Sequence, residues 1–264
     1  MIKNIKTQAR LKFAKWKIEK FLPNNEVEFV IAHFHEKIDY LDFLPSNAKI
    51  SIYNKGKDKI ESSILQKHKN VRIINLPNVG RNPHTVFYHI INNYDKLCPV
   101  TIFLPGSFNS PNPYKTKKKF AKILNKIVNI IPEDYKGIYT SGSYRWWYHL
   151  KYFKEKKINL YIEENFTLDS YQSSNKENVK YNPSSILEPA KIRPMGNWYK
   201  HFFGPRDYAP VQSLHAMFGV RKSCILQHPI EKYKDIISQY SKTEISYELE
   251  HYLERLFPSI FMKS

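Results

Sequence analysis

Residues Ile73–Ser107 read IINLPNVGRNPHTVFYHIINNYDKLCPVTIFLPGS, and their order decides the fold. The apolar run Ile73, Ile74, Leu76 breaks at Pro77, and Asn78-Val79-Gly80-Arg81-Asn82-Pro83 makes a turn. Proline suits the first turn of a helix and asparagine is a good N-cap, so a helix is predicted from near Pro83 with Asn82 as its cap. Val86, Phe87, Ile90, Ile91 and Tyr94 recur at helical spacing and form its buried side. Pro99 to Leu104 is a second apolar strand, closed by Pro105-Gly106-Ser107. Strand, glycine turn, helix and strand in that order are the pattern of a parallel crossover. Ligands of open parallel sheets gather at the carboxyl ends of strands, so Asn78 to Asn82 and Pro105 to Ser107 stand where chemistry is expected.

The same alternation extends outward. Val27 to His33 (VEFVIAH) is almost continuously apolar, as a central strand covered on both faces would be, and it exits into His33-Phe34-His35-Glu36. Lys49 to Asn54 is a further strand leaving through Lys55-Gly56-Lys57, Ile60 to His68 a short helix, and Val71 to Leu76 the strand that feeds the opening turn. Downstream, Lys115 to Ile131 reads as a long helix and Gly137 to Ser141 as a short strand. Asn165 to Arg193 lacks periodicity and is expected to be a long loop, a candidate lid, followed by the aromatic anchor Asn197 to Phe203. Ala216 to Val220 reads as a strand and Pro229 to Ser241 as a helix. Tyr247 to Phe261 is a last helix that buries Leu249, Tyr252, Leu253, Leu256 and Ile260. Strands alternating with helices predict an α/β domain with a mostly parallel sheet flanked by helices. It spans residues 23–264, behind a basic helix over residues 1–22.

At 264 residues the chain can bury a substantial core, and 19 Tyr with 16 Phe exclude a disordered composition. Its 42 Lys and Arg against 24 Asp and Glu give a net charge of +18, which draws polyanions: nucleic acid, an anionic membrane face or phosphorylated substrates. A lysine- and asparagine-rich genome would produce the same bias. Cys98 and Cys224 make neither a disulfide framework nor a ligand cluster, which suits a reducing, cytoplasmic compartment. No segment is long and apolar enough to span a bilayer, and the basic N-terminus lacks the apolar core of a signal peptide. In residues 1–22, Ile2, Ile5, Ala9, Phe13, Trp16 and Phe21 fall broadly on one side among many lysines. Such a helix either packs on the domain or lies peripherally on anionic lipid.

The sequence holds no Walker loop, no GxGxxG after a strand and no GxSxG elbow. His33 and His35 would share a strand face as metal ligands sometimes do, but with 10 histidines such a pair arises easily. No helix-turn-helix, zinc finger or RNP-like stretch accompanies the basic charge, so nucleic acid is not the expected partner.

Four blocks in fixed order carry a resemblance. They are Ile52-Tyr53-Asn54-Lys55-Gly56; Asn78-Val79-Gly80-Arg81 through Asn93-Tyr94-Asp95; Val100 to Leu104 with Gly106; and Phe218-Gly219-Val220 through His228-Pro229 to Glu254-Arg255-Leu256-Phe257. From about Val27 to Phe261 they resemble an uncharacterised family with YNKG, NxGR, NYDxL and ERxWxxIF blocks. That family is in turn similar to the GT-A glycosyltransferases of bacterial surface polysaccharide (lipopolysaccharide or capsule) assembly, including the rhamnan-synthesis type. The chain departs from the pattern in having Asn82 where an acidic residue is expected and Pro105-Gly106 in place of Gln-Gly. The Asp-x-Asp that holds a divalent metal in most GT-A enzymes is missing after Val100 to Leu104.

The resemblance implies a GT-A-like, Rossmann-like sheet and transfer of sugar from a nucleotide-sugar donor to a glycan or lipid-linked acceptor. Mg²⁺ or Mn²⁺ is in doubt without the Asp-x-Asp. Donor contacts are then expected from His33, Asn54, Lys55, Asn78, Gly80, Arg81, Asn82, His84, Gly106 and Ser107, with Lys55, Arg81 and the helix start answering phosphate charge. Lys55 as a solvated lysine and Arg81 as partner of a structural carboxylate are the plainer alternatives. The base that deprotonates the acceptor is sought among His215, Glu248, Glu250, His251 and Glu254, where Glu254-Arg255 can equally be an ion pair. Trp198 and His201 are either an acceptor platform or, for Trp198, core. The rival reading is a non-catalytic module of the same fold that binds polyanions or nucleic acid.

Overall fold

The structure, a computed structural model, describes residues 2–21, 26–57, 59–60, 62–107, 124, 139–140, 164–171, 187–205, 216–241 and 245–261. In chain order its elements begin with α1 (Ile2–Phe21), β1 (Val27–His33), β2 (Lys49–Asn54), α2 (Ser62–Lys67), β3 (Val71–Asn75), α3 (Arg81–Asn93) and β4 (Val100–Pro105). They continue with β5 (Tyr139–Thr140), β6 (Leu187–Glu188), α4 (Met195–Phe203), β7 (Phe218–Arg221), α5 (Lys222–Ile225), α6 (Ile230–Ile237), β8 (Ser246–Tyr247) and α7 (Glu248–Phe261). The central sheet is six-stranded in the order β3-β2-β1-β4-β7-β5. β1 pairs in parallel with β2 and β4, β2 pairs in parallel with β3, and β7 runs antiparallel between β4 and β5. This is an α/β architecture with a mostly parallel sheet flanked by helices, compatible with a Rossmann-like fold.

Side-chain alternation builds a core on each face. On one face Val30, Tyr53, Phe103, Phe218 and Val220 meet Val86, Phe87 and Ile90 of α3, Trp198 and Tyr199 of α4, and Leu253, Phe257 and Phe261 of α7. On the other, Phe29, Ile31, Ile50, Ile52, Ile102 and Leu104 meet Leu11 of α1, Tyr40, Leu41 and Ile64. All seven residues of β1 are buried, as expected of a strand paired on both edges and covered on both faces. The chain moves from β1 outward through β2 and β3 and then crosses to β4 on the opposite side of β1. Between the carboxyl ends of β1 and β4 lies the point where that direction reverses, the usual crevice for a ligand in open α/β sheets.

Two expectations need correction. The helix after Gly80 starts at Arg81, and its N-cap is Gly80 in the left-handed region (φ 56°) with no side-chain cap bond, so Asn82 is not the cap. Backbone geometry rather than side-chain capping turns the chain there. Among the described side chains of α1, Leu11 is buried while Ile5, Phe13 and Trp16 are 63%, 50% and 46% exposed. Within the expected loop 165–193, Leu187–Glu188 forms a parallel pair with Ser246–Tyr247, and Phe166 and Tyr171 lie on Tyr252 and His251 of α7. The predicted helix Lys115 to Ile131 lies, apart from Leu124, outside the described residues.

Candidate functional site

The carboxyl ends of β1 and β2 are knitted by polar side chains. His33 lies buried with Nδ1 2.9 Å from Asn54 Oδ1 and Nε2 2.9 Å from the Glu36 carbonyl oxygen. Asn54 also receives the Gly56 N–H at 3.3 Å and donates to Asn75 Oδ1 at 3.3 Å. His33 and Asn54 therefore set the shape of the strand ends instead of reaching for a ligand, and His35 lies beyond the strand with its ring against Phe34. At β4, Gly106 donates to the Ala32 carbonyl, and a Cβ there would stand 2.8 Å from Glu36 Oε2. Gly106 thus lets β4 end close against β1, with Ser107 half-buried beside it.

Lys55 is buried, and Nζ donates to the carbonyls of Val79 and Arg81, each at 2.6 Å. It is neither a solvated lysine nor a free phosphate ligand; it braces the turn from beneath. Burial pulls its pKa down to about 7, with Glu250 working against the fall. Above it the turn carries two consecutive left-handed residues, Gly80 (φ 56°) and Arg81 (φ 41°). For arginine that conformation costs on the order of 1–3 kcal/mol and persists only where surrounding contacts determine it. Those contacts come from far along the chain. Arg81 donates to Ser246 Oγ at 2.6 Å, stands 3.7 Å from Glu250 Oε2 and lies over the Tyr171 ring at 5.4 Å.

Glu250 sits in the first turn of α7, buried, with Oε1 unpartnered. Burial raises its pKa to about 7 against the pull of Arg81, while Glu254 pushes the same way as burial and Lys55 opposes it. Tyr240 packs edge-on to Tyr247 and His84, and its hydroxyl is unpartnered and buried. Burial, and next the charge of Glu250, raise that phenol well above its ordinary value. His84, in the first turn of α3, is pushed down to about 3 by burial and by Lys55, and His251 down to about 4 by burial, Arg255 and Arg81. The result is a buried neighbourhood of a carboxylate near neutrality, two neutral imidazoles, a phenol and a clamped arginine. Such a carboxylate can take or give a proton near neutral pH.

Glu250, His251, Arg81, Gly80 and His84, scattered over the sequence, are thus brought together, with Glu254 next along α7. Other candidates are corrected. Glu248 is fully buried and accepts from Leu168 N at 2.7 Å, Ala190 N at 2.9 Å and Tyr252 OH at 2.8 Å, with Arg193 Nε 2.9 Å away, so both its oxygens are taken up as a structural anchor. Trp198 is 0% exposed and donates to Gln239, which removes it as an acceptor platform; His201 is exposed on α4. Asn78 and Asn82 are half-buried on the turn, and His215 lies outside the described residues. Tyr171, Tyr240 and Ser246 escaped the sequence reading; the available signal was an aromatic, Tyr240, inside the otherwise polar run Ser238 to Glu244.

The end of β4 does not suit a divalent cation: Pro105 and the following Gly106 and Ser107 offer no carboxylate, and Glu36 Oε2 accepts the Phe34 N–H at 2.8 Å. Among the described residues no three His, Cys, Asp or Glu side chains come together as a metal would need. Comparisons with protein-family models, with curated proteins and with solved structures gave no match.

Proposed function

We propose that the protein is a GT-A-like glycosyltransferase that moves a sugar from a nucleotide-activated donor to a glycan or lipid-linked acceptor in surface polysaccharide assembly. The observation that carries the reading is Glu250, a buried carboxylate with one unpartnered oxygen and a pKa near 7 beside Arg81. An acceptor hydroxyl loses its proton as it attacks the anomeric carbon, and a base serves best when its pKa lies near the working pH. Glu250 Oε1 takes that proton. The new bond from acceptor oxygen to anomeric carbon forms as the bond to the diphosphate breaks, and the leaving group departs with the electron pair. Its charge is met by the positive end of α3 and by side-chain N–H and hydroxyl groups at Asn78, Asn82 and Ser107, while Gly106, its N–H given to Ala32, serves only by leaving room beside β1. The crevice between β1 and β4 supports a nucleotide there, since open α/β sheets bind nucleotides at such reversals.

No helix among the described residues is long and apolar enough to cross a membrane. We place the enzyme at the inner membrane face through α1, whose exposed Phe13 and Trp16 are flanked by Lys12, Lys15 and Lys20. The test is a panel of UDP-, GDP-, dTDP- and CMP-sugars, followed by thermal shift and by release of nucleotide. One of them is expected to raise Tm and to be consumed, with Glu250→Gln still binding it but turning over at least ~100-fold more slowly. A panel in which no nucleotide sugar binds or reacts would overturn the reading in favour of a non-catalytic polyanion-binding module.

A further inference from the structure

Buried polar atoms without partners are rare in folded proteins, and each calls for something that completes it. Among the described residues there are eight such side-chain atoms, and four of them fall in one neighbourhood: His84 Nδ1, Tyr240 OH, Glu250 Oε1 and His251 Nε2. The neighbourhood is continuous. The His84 and Tyr240 rings stand 5.7 Å apart, Arg81 links Ser246 to Glu250, and Tyr171 joins Arg81 to His251, whose ring is 4.4 Å away. Gly80 lets Tyr240 and His84 close on the turn, because a Cβ there would lie 2.7 Å from the Tyr240 ring and 2.8 Å from His84 Cβ. At the opposite end of the sheet the buried Glu28 shows the contrast, with Ser51 at 2.5 Å, Lys49 at 2.8 Å and Arg72 at 3.5 Å. Glu28 itself is fully answered, although His89 Nε2 and Thr101 Oγ1 beside it are also unpartnered; what sets the Glu250 neighbourhood apart is that its carboxylate keeps an open oxygen.

We propose that the His84–Tyr240–Glu250–His251 cluster binds the hydroxyl groups of a neutral sugar, and not the diphosphate of an activated donor. The inference deepens the transferase reading and rests on it only for how the sugar is delivered. A sugar hydroxyl both donates and accepts, which matches a carboxylate oxygen, a phenol and two neutral ring nitrogens. A phosphate oxygen only accepts, and at Glu250 Oε1 it would meet another acceptor. The cations that could offset this are committed elsewhere: Lys55 to two backbone carbonyls and Arg81 to Ser246 and Glu250. The low pKa values of His84 and His251 keep both rings uncharged, which removes a further attraction for anions. Arg81 is thereby reassigned from phosphate ligand to positioning residue for Glu250.

Saturation-transfer NMR tests this with D-glucose, D-galactose, L-rhamnose and N-acetyl-D-glucosamine as probes and inorganic pyrophosphate as competitor, on the full chain and on Tyr240→Phe and Glu250→Gln. At least one sugar is expected to bind saturably, undisplaced by equimolar pyrophosphate, and each variant to weaken it ~2–10-fold, the worth of one hydrogen bond. Tyr240→Phe should hold or raise Tm, because it deletes an unpartnered hydroxyl. No saturable sugar signal, displacement by pyrophosphate, or wild-type affinity in both folded variants overturns the proposal, leaving a cluster filled by water alone. Nucleotide-sugar turnover untouched by Tyr240→Phe would sink the sugar cluster and spare the transferase; sugar binding lost in the variants, with no nucleotide sugar turned over, would do the reverse.

Discussion

Glu250 and Lys55 are neighbours whose burial works on each in opposite senses, raising the acid to about 7 and lowering the base to about 7. For the acid, the folded pKa exceeds the unfolded one, so its contribution to stability is complete below about pH 4.5 and is lost as pH rises through about 7. For the lysine the folded value is the lower, so its contribution is present above about pH 10.5 and is lost as pH falls through about 7. Glu250→Gln removes the first effect and, by taking away a charge that supports Lys55, lets the lysine pKa fall further. The difference in unfolding free energy, variant minus wild type, should therefore increase between about pH 5 and pH 8, by up to about 3 kcal/mol for a shift of this size. Urea melts of both proteins across that range check it, and a difference independent of pH would show that Glu250 titrates normally. Gly80 sets a second prediction. Alanine there meets both a left-handed φ and the Tyr240 ring at 2.7 Å, so Gly80→Ala should destabilise by about 1–3 kcal/mol. Gly106→Ala tests the same logic at β4, where the obstruction is the Ala32 carbonyl at 2.9 Å.

At the scale of elements, Glu248 at the head of α7 ties residues 164–171 and 187–193 to the helix through Leu168, Ala190 and Arg193. Glu248→Ala strands these donors, two of them backbone N–H groups, and should cost about 3–5 kcal/mol by chemical denaturation. A loss below about 1 kcal/mol would mean that water replaces the carboxylate without difficulty. On α1, Phe13→Ser with Trp16→Ser leaves the packed Leu11 in place, so Tm should hold while binding to anionic vesicles weakens about tenfold or more. Equal vesicle binding by the variant and the parent would detach α1 from any membrane role. The elements themselves were legible because period decides them: VEFVIAH reads as a doubly covered strand, and Leu249, Tyr252, Leu253, Leu256 and Ile260 as a helical face. The cap at Gly80 was not, because a left-handed turn leaves no side-chain signature beyond the glycine itself. The site was half legible. Arg81, His84 and Glu250 stood out by residue type, but their pairing spans 165 residues from Arg81 to Ser246 and depends on how α7 docks against α3. Glu248 and Glu250 cannot be told apart by sequence, since both begin the same helix; only the donors aimed at Glu248 separate anchor from site.

Over the whole molecule, the net charge of +18 creates an attraction for polyanions that has nothing to do with the buried cluster, and the two must be separated experimentally. A field acting through solvent is screened within roughly 8 Å at physiological salt, whereas contacts inside a dry site are screened far less. Release of condensed counterions makes polyanion binding fall steeply with salt: on the order of 10³-fold between about 50 and 200 mM when several phosphates or sulfates are neutralised. Nucleotide-sugar binding in the crevice between β1 and β4 should fall less than about tenfold over the same range, because few exposed cations take part. Titrating heparin and the best nucleotide sugar on the same preparation at several salt concentrations gives both slopes. Parallel slopes would mean that the nucleotide sugar is held only by surface charge, and the enzyme reading would then yield to the polyanion-binding one. A shallow slope for the nucleotide sugar beside a steep one for heparin would locate its affinity in contacts sheltered from solvent, and the same shallow slope kept in Glu250→Gln would fit a carboxylate whose part is to take the proton and not to hold the donor.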